Sequence, residues 1–262
     1  MNWVLIMNIV ASIALLAPIV TIIATRLSLH KTFPFLLFYY IITFVYSIMT
    51  GDFIAFNDKV KYYFGITNNI LDGPLMLGFL IFMSFSLKQK KILKALWTGL
   101  ALFTIITIVF TGYNISAIRI VLGPSILFTF IFCIIFFAHY TKIILHKASA
   151  GVGKVLISAA LIFAYGTYAV IYFLYYVLRS KNIEDAFLIY FLASIFSAVL
   201  LSVGVFYEAK RMRRIKEVIQ ARKEIALIYA EEKNNPSPPK KSQSLDDLFG
   251  FDPSEMIPGF RN

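Results

Sequence analysis

The chain has 262 residues, 59% of them hydrophobic, 16% aromatic and only 15% charged, and its formal net charge is +11. An average soluble domain carries roughly 45–50% apolar and about 25% charged residues, so a water-soluble globule is excluded because it would leave too much apolar surface uncovered. Apolar runs of about 20 residues, each long enough to cross a hydrocarbon core, recur along most of the sequence and make the bilayer the expected solvent.

Seven spans are expected, at residues 3–24, 33–50, 66–87, 92–111, 117–141, 155–178 and 186–207. A membrane barrel would show alternating segments of about ten residues, whereas these runs are apolar on all sides over about twice that length. The expected fold is therefore an all-α integral membrane bundle of seven helices, residues 1–207. The first run lacks a basic leader, and its first positive charge, Arg26, follows it. That pattern predicts a retained helix that begins outside, in place of a cleaved signal. Pro18, Pro74 and Pro124 fall inside spans and predict kinks. No internal repeat is visible, which removes support for an inverted-repeat transporter.

Orientation follows from lysine and arginine. The odd-numbered loops carry Arg26 and Lys31, then Lys88, Lys90, Lys91 and Lys94, then Lys142, Lys147 and Lys154, with no acid among them. In the even-numbered loops Lys59, Lys61, Arg119, Arg179 and Lys181 are offset by Asp52, Asp58, Glu184 and Asp185. Together with the C-terminal stretch, 20 of 25 basic residues fall on one side, the mark of a cytoplasmic face. Lys88, Lys90, Lys91, Lys210, Arg211, Arg213 and Arg214 are the expected contacts with anionic lipid of the inner leaflet. The basic charge is thereby explained without nucleic acid. A multi-pass protein of the bacterial cytoplasmic (inner) membrane is the expected setting.

Ionisable groups within hydrocarbon are costly and hence functional candidates. Asp72 is the acid placed well inside a span. Asn68 and Asn69 precede it by four and three residues, so the three share a helical face near the outer end of the third span. Arg119 is expected at a similar depth, as partner to Asp72. Tyr165 and Tyr168, too deep to be interfacial anchors, are expected to line the same outward polar pocket, while Tyr175 and Tyr176 read as an aromatic belt. The competing reading of Asp72 is an interhelical lock.

Other chemistry finds little footing. His139 and His146 lie seven residues apart, about 10 Å along a helix, too far to share a metal ion. No His-Glu-x-x-His, paired intramembrane carboxylates or Gly-x-Ser-x-Gly occurs, and no metal or cofactor is expected. Residues 186–207 contain no lysine for a retinal Schiff base. Cys133, the single cysteine, reads as a small buried hydrophobe.

After the seventh span, residues 208–233 are rich in helix formers and basic charge. Ile215, Val218, Arg222, Ile225 and Tyr229 have heptad spacing, but over two heptads with a charge at one core position, which favours a solvated or membrane-surface helix over a coiled coil. Residues 234–262 begin as a proline-rich linker and end in apolar anchors interleaved with acids. Leu245, Leu248, Phe249, Phe251, Met256, Ile257 and Phe260 are expected to dock in the groove of a cytoplasmic protein partner. These features point to a receptor- or sensor-like membrane subunit. The alternatives are a lipid-modifying enzyme using His139 and Tyr140 at the inner leaflet, a small-solute transporter, or a structural subunit of a membrane complex. No enzyme class is supported, and the sequence carries no sign of oligomeric state.

Overall fold

A computed structural model describes residues 3–29, 33–51, 56–146, 151–178 and 184–234. Among these residues there are seven long helices and no strand: α1 (Trp3–Ala24), α2 (Phe33–Thr50), α3 (Asp58–Met83), α4 (Leu87–Thr111), α5 (Ile115–His146), α6 (Val152–Tyr172) and α7 (Glu184–Asn234). A short 3-10 turn, Leu27–Leu29, follows α1, and a π turn, Phe173–Val177, extends α6. Each of the seven helices is long and apolar enough to cross a membrane. The chain is an all-helical integral membrane protein. It forms two compact units, Met1–Met212 and Arg213–Asn262.

Within the first unit α3 is the central helix. It packs against α2, α4 and α5, with α6 against α5 and α1 against α2. In its apolar stretch 56% of residues are buried, against 22% in α1, α2 and α4, so α3 has protein on most sides while those three are largely uncovered.

The helix ends show where local chemistry overrides hydropathy. The apolar runs at 3–24 and 33–50 coincide with α1 and α2. α3 begins at Asp58, eight residues before the expected 66, because the Asn57 side chain accepts from the Lys59 amide (2.9 Å) and caps a polar first turn. It ends at Met83, where Ser84 turns extended. Ser86 then caps α4 by accepting from the Gln89 amide (3.1 Å), so α4 starts at Leu87 and carries Lys88, Lys90 and Lys91 on its first turns. Gly112, at φ 79°, makes the turn after α4. The Asn114 side chain accepts from the Ser116 and Ala117 amides and starts α5. Helical assignment runs unbroken through Pro18, Pro74 and Pro124.

α6 and α7 meet almost backbone to backbone. A Cβ built on Gly153 would lie 2.6 Å from the Glu208 nitrogen and 2.7 Å from the Gly204 oxygen, so glycine is what lets the helices touch. Ser197 seals the same seam, its hydroxyl donating to the Ala160 carbonyl (2.8 Å). α7 continues as one helix from the expected span 186–207 through the basic stretch 208–233, and the first compact unit ends at Met212. The linker and terminal anchors from residue 235 onward lie outside the described residues, as do Lys31, Asp52, Lys147, Arg179 and Lys181.

Candidate functional site

Asp72 sits near the middle of α3, about 21 Å from the start of the helix and about 16 Å from its end. Its side chain is 4% exposed. The Tyr165 hydroxyl of α6 donates to the carboxyl, lying 3.0 Å from Oδ1 and 3.1 Å from Oδ2. Asp72 is thus met by a hydroxyl, not by a cation. A carboxyl in so apolar a place is tolerated only where donors replace its water.

The flanking amides extend this network. Asn69 accepts from the Tyr168 hydroxyl (2.6 Å) and donates to the Gly65 carbonyl (2.7 Å). Asn68 turns toward α2, accepting from Thr43 (3.3 Å). The Tyr165 and Tyr168 rings are 6.4 Å apart, and Tyr168 is 6.2 Å from Tyr190 of α7. One buried acid therefore gathers polar and aromatic groups from α2, α3, α6 and α7. Tyr190 is a member that sequence reasoning missed, since nothing local marks a tyrosine that meets an aromatic ring on another helix.

Arg119 does not join Asp72. It lies about 6 Å into α5, whereas Gly73, next to Asp72, faces Ser125 six residues further along that helix, and Arg119 is exposed. Its guanidinium sits 5.9 Å from the Tyr176 ring centre, and its carbonyl accepts from the Tyr172 hydroxyl (2.7 Å). The expected pocket therefore divides into a sealed carboxyl–hydroxyl network at mid-helix and an aromatic–arginine cluster nearer the helix ends.

A second polar cluster lies where the C-terminal ends of α3 and α5 meet the start of α6. The Tyr140 hydroxyl donates to the Met83 carbonyl and accepts from the Lys154 ammonium (3.0 Å). That ammonium also lies 4.7 Å from the Tyr140 ring centre and 5.0 Å from that of Phe82, a cation–π seat. On α7, Glu208 is fully buried and held by Arg211, whose Nε and Nη2 donate to its two carboxylate oxygens. Lys154 is thus engaged inside the protein and Arg211, its side chain 36% exposed, is paired with Glu208, whereas Lys88, Lys90, Lys91, Lys210, Arg213 and Arg214 are exposed. Tyr140→Phe keeps the ring but deletes both hydroxyl bonds. It is expected to cost about 1–3 kcal/mol, read as a lower thermal midpoint of the purified protein in detergent.

The remaining candidates have apolar or aromatic surroundings. His139 stacks on Phe85 with ring centres 3.6 Å apart, and among the described residues no group of His, Cys, Asp and Glu is placed to hold a metal ion. Cys133 is free and buried. An apolar groove between α4 and α5, lined by Leu96, Gly99, Phe103, Pro124 and Phe128 among others, offers no polar group to a ligand. Comparison of the chain with protein-family models, with curated proteins and with solved structures finds no match.

Proposed function

We propose that this protein is a receptor- or sensor-like membrane subunit whose responsive element is the Asp72 network and whose C-terminal segment engages a cytoplasmic protein. The observation that carries this reading is the buried carboxyl itself. Asp72 takes its hydrogen bonds from another helix, from Tyr165 of α6, and its neighbours Asn69 and Asn68 are tied to Tyr168 of α6 and Thr43 of α2. A change in the charge or occupancy of that carboxyl must therefore rearrange contacts between helices. A carboxyl that served only to pack the bundle would be a costly substitute for an apolar side chain.

The proposed setting is a bacterial cytoplasmic membrane, with the ends of α3 and α5 and the start of α6 on the inner side. The exposed Lys88, Lys90 and Lys91 belong to that end, which suits an anionic leaflet. Single-cysteine labelling from outside tests this orientation. Substitutions in 52–61 and 179–185 are expected to react with an impermeant thiol reagent, and those at 88–91 and beyond 235 to stay silent in intact cells. The reverse pattern overturns the orientation and the cytoplasmic partner with it. Docking itself is tested with a 245–260 peptide as bait: proteins retained by the native peptide should be lost from Phe249→Ala and Phe251→Ala versions, and equal retention overturns it.

A further inference from the structure

The second compact unit contains an apolar stripe with a charge at its centre. In the α7 portion that belongs to it, Ile215, Val218, Ile219, Ile225, Ala226 and Tyr229 fall within about a third of the helical circumference at 100° per residue. All are exposed, with Val218 and Ile225 each 52% and Tyr229 61% accessible. Arg222 lies in the middle of this stripe, while Lys216, Glu217, Lys223 and Glu224 occupy the other side. Such a face wants an occupant that is apolar and carries an acid.

We propose that residues 245–260 of the same chain dock in cis on this arginine-centred face of α7. The segment supplies the matching chemistry. Leu245, Leu248 and Phe249 have the i, i+3, i+4 spacing of a single helical face, and Asp246, Asp247 and Asp252 lie among the anchors. Charge argues against the two rival occupants. In a parallel pair of α7 helices the two Arg222 side chains would meet at one core position and repel, and in a lipid-facing helix Arg222 would sit at the centre of the inserted face. Reach is sufficient. The ten residues 235–244 can span up to about 33 Å, against about 29 Å from the end of α7 at Asn234 back to Ile215, and a tether so short holds its two ends at roughly millimolar effective concentration. The contact covers the same anchors proposed above to bind a partner, so partner and helix compete for them and the tail is held in reserve until one arrives.

Disulfide trapping in the purified full-length protein, with Cys133→Ser as background and no other protein present, tests the contact separately from partner docking. Val218→Cys with Phe249→Cys is expected to form an intramolecular bond at least about five times faster than Lys216→Cys with Phe249→Cys, which samples the opposite side. Arg222→Glu should slow the favoured pair about threefold or more, and adding Asp246→Lys and Asp247→Lys should restore it. Equal rates on the two sides, or insensitivity to Arg222→Glu, would overturn the proposal. So would a Val218→Cys single variant that traps mainly dimers, which would place a second copy on the face. Loss of the preferred bond on reconstitution into phosphatidylglycerol vesicles, with rates intact in detergent, would give the face to the membrane and equally sink the idea. Success here with failure of the peptide bait would leave a cis contact without a partner, and the converse a partner without a cis contact.

Discussion

Gly153→Val should lower the thermal midpoint of the purified protein by about 6–12 °C and sharply reduce its abundance in the membrane. The added atoms meet main chain, the Glu208 nitrogen and the Gly204 oxygen, and main chain cannot rotate aside. α6 and α7 must separate, which opens the Ser197–Ala160 bond and the burial of Glu208 along the same seam. Overpacking of this kind costs about 3 kcal/mol, and for a protein of this size each kcal/mol shifts the midpoint by about 2–4 °C. Gly99→Ala is the control. No atom lies within 4 Å of a Cβ built there, so alanine should leave the midpoint unchanged or raise it, through a helix-propensity gain of up to about 1 kcal/mol. Equal midpoints for the two variants would show that the seam yields, contrary to its geometry.

Tyr165→Phe should cost about 1.5–3 kcal/mol, because it removes a donor from a buried carboxyl while leaving the ring to fill its space. Asp72→Asn should cost less, since the amide oxygen still accepts from Tyr165. The informative measurement is the double variant. With the carboxyl gone, losing the hydroxyl deprives only an amide of a hydrogen bond, so the double variant should be more stable than the sum of the single effects implies. Function is read separately. Asp72→Asn should change capture of the cytoplasmic partner by the full-length protein while abundance and thermal midpoint stay near those of the parent. Loss of folding together with capture would make Asp72 a packing lock and end its claim as a sensor.

Much of the architecture is legible from the apolar runs because lipid leaves the chain few ways to satisfy its backbone. Legibility fails where a polar turn is held by a cap. Asp58, Lys59 and Lys61 belong to α3 through Asn57, and hydropathy alone reads them as loop. Charges next to a span mislead in the same way. Lys154 and Glu208 look like solvated flanks, yet Lys154 rests on two aromatic rings and Glu208 is fully buried. The glycines at 153 and 204 are the signal that could have warned of it, since small residues mark where membrane helices approach closely. Asp72, Asn69, Tyr165 and Tyr168 were selectable because each is polar and deep in a span. Arg119 was misplaced because the start of a helix says little about its depth beside a neighbour with a longer polar first turn.

The tyrosine stripe fails at one identifiable point, the π turn of α6. Spacing alone puts Tyr165, Tyr168, Tyr172 and Tyr175 on one side. From Phe173 onward, however, the chain closes i to i+5, with the Leu178 amide donating to the Phe173 carbonyl (2.9 Å). One more residue is taken up per turn, so Tyr176 comes under the Arg119 guanidinium while Tyr175 is 47% exposed. The wide turn therefore works like a slipped gear tooth. Rewinding it to ordinary α geometry would bring Tyr175 back toward the face of Tyr172 and turn the end of α6 about its own axis. Which ring lies under Arg119 is thus set by one wide turn and not by the spacing of the tyrosines.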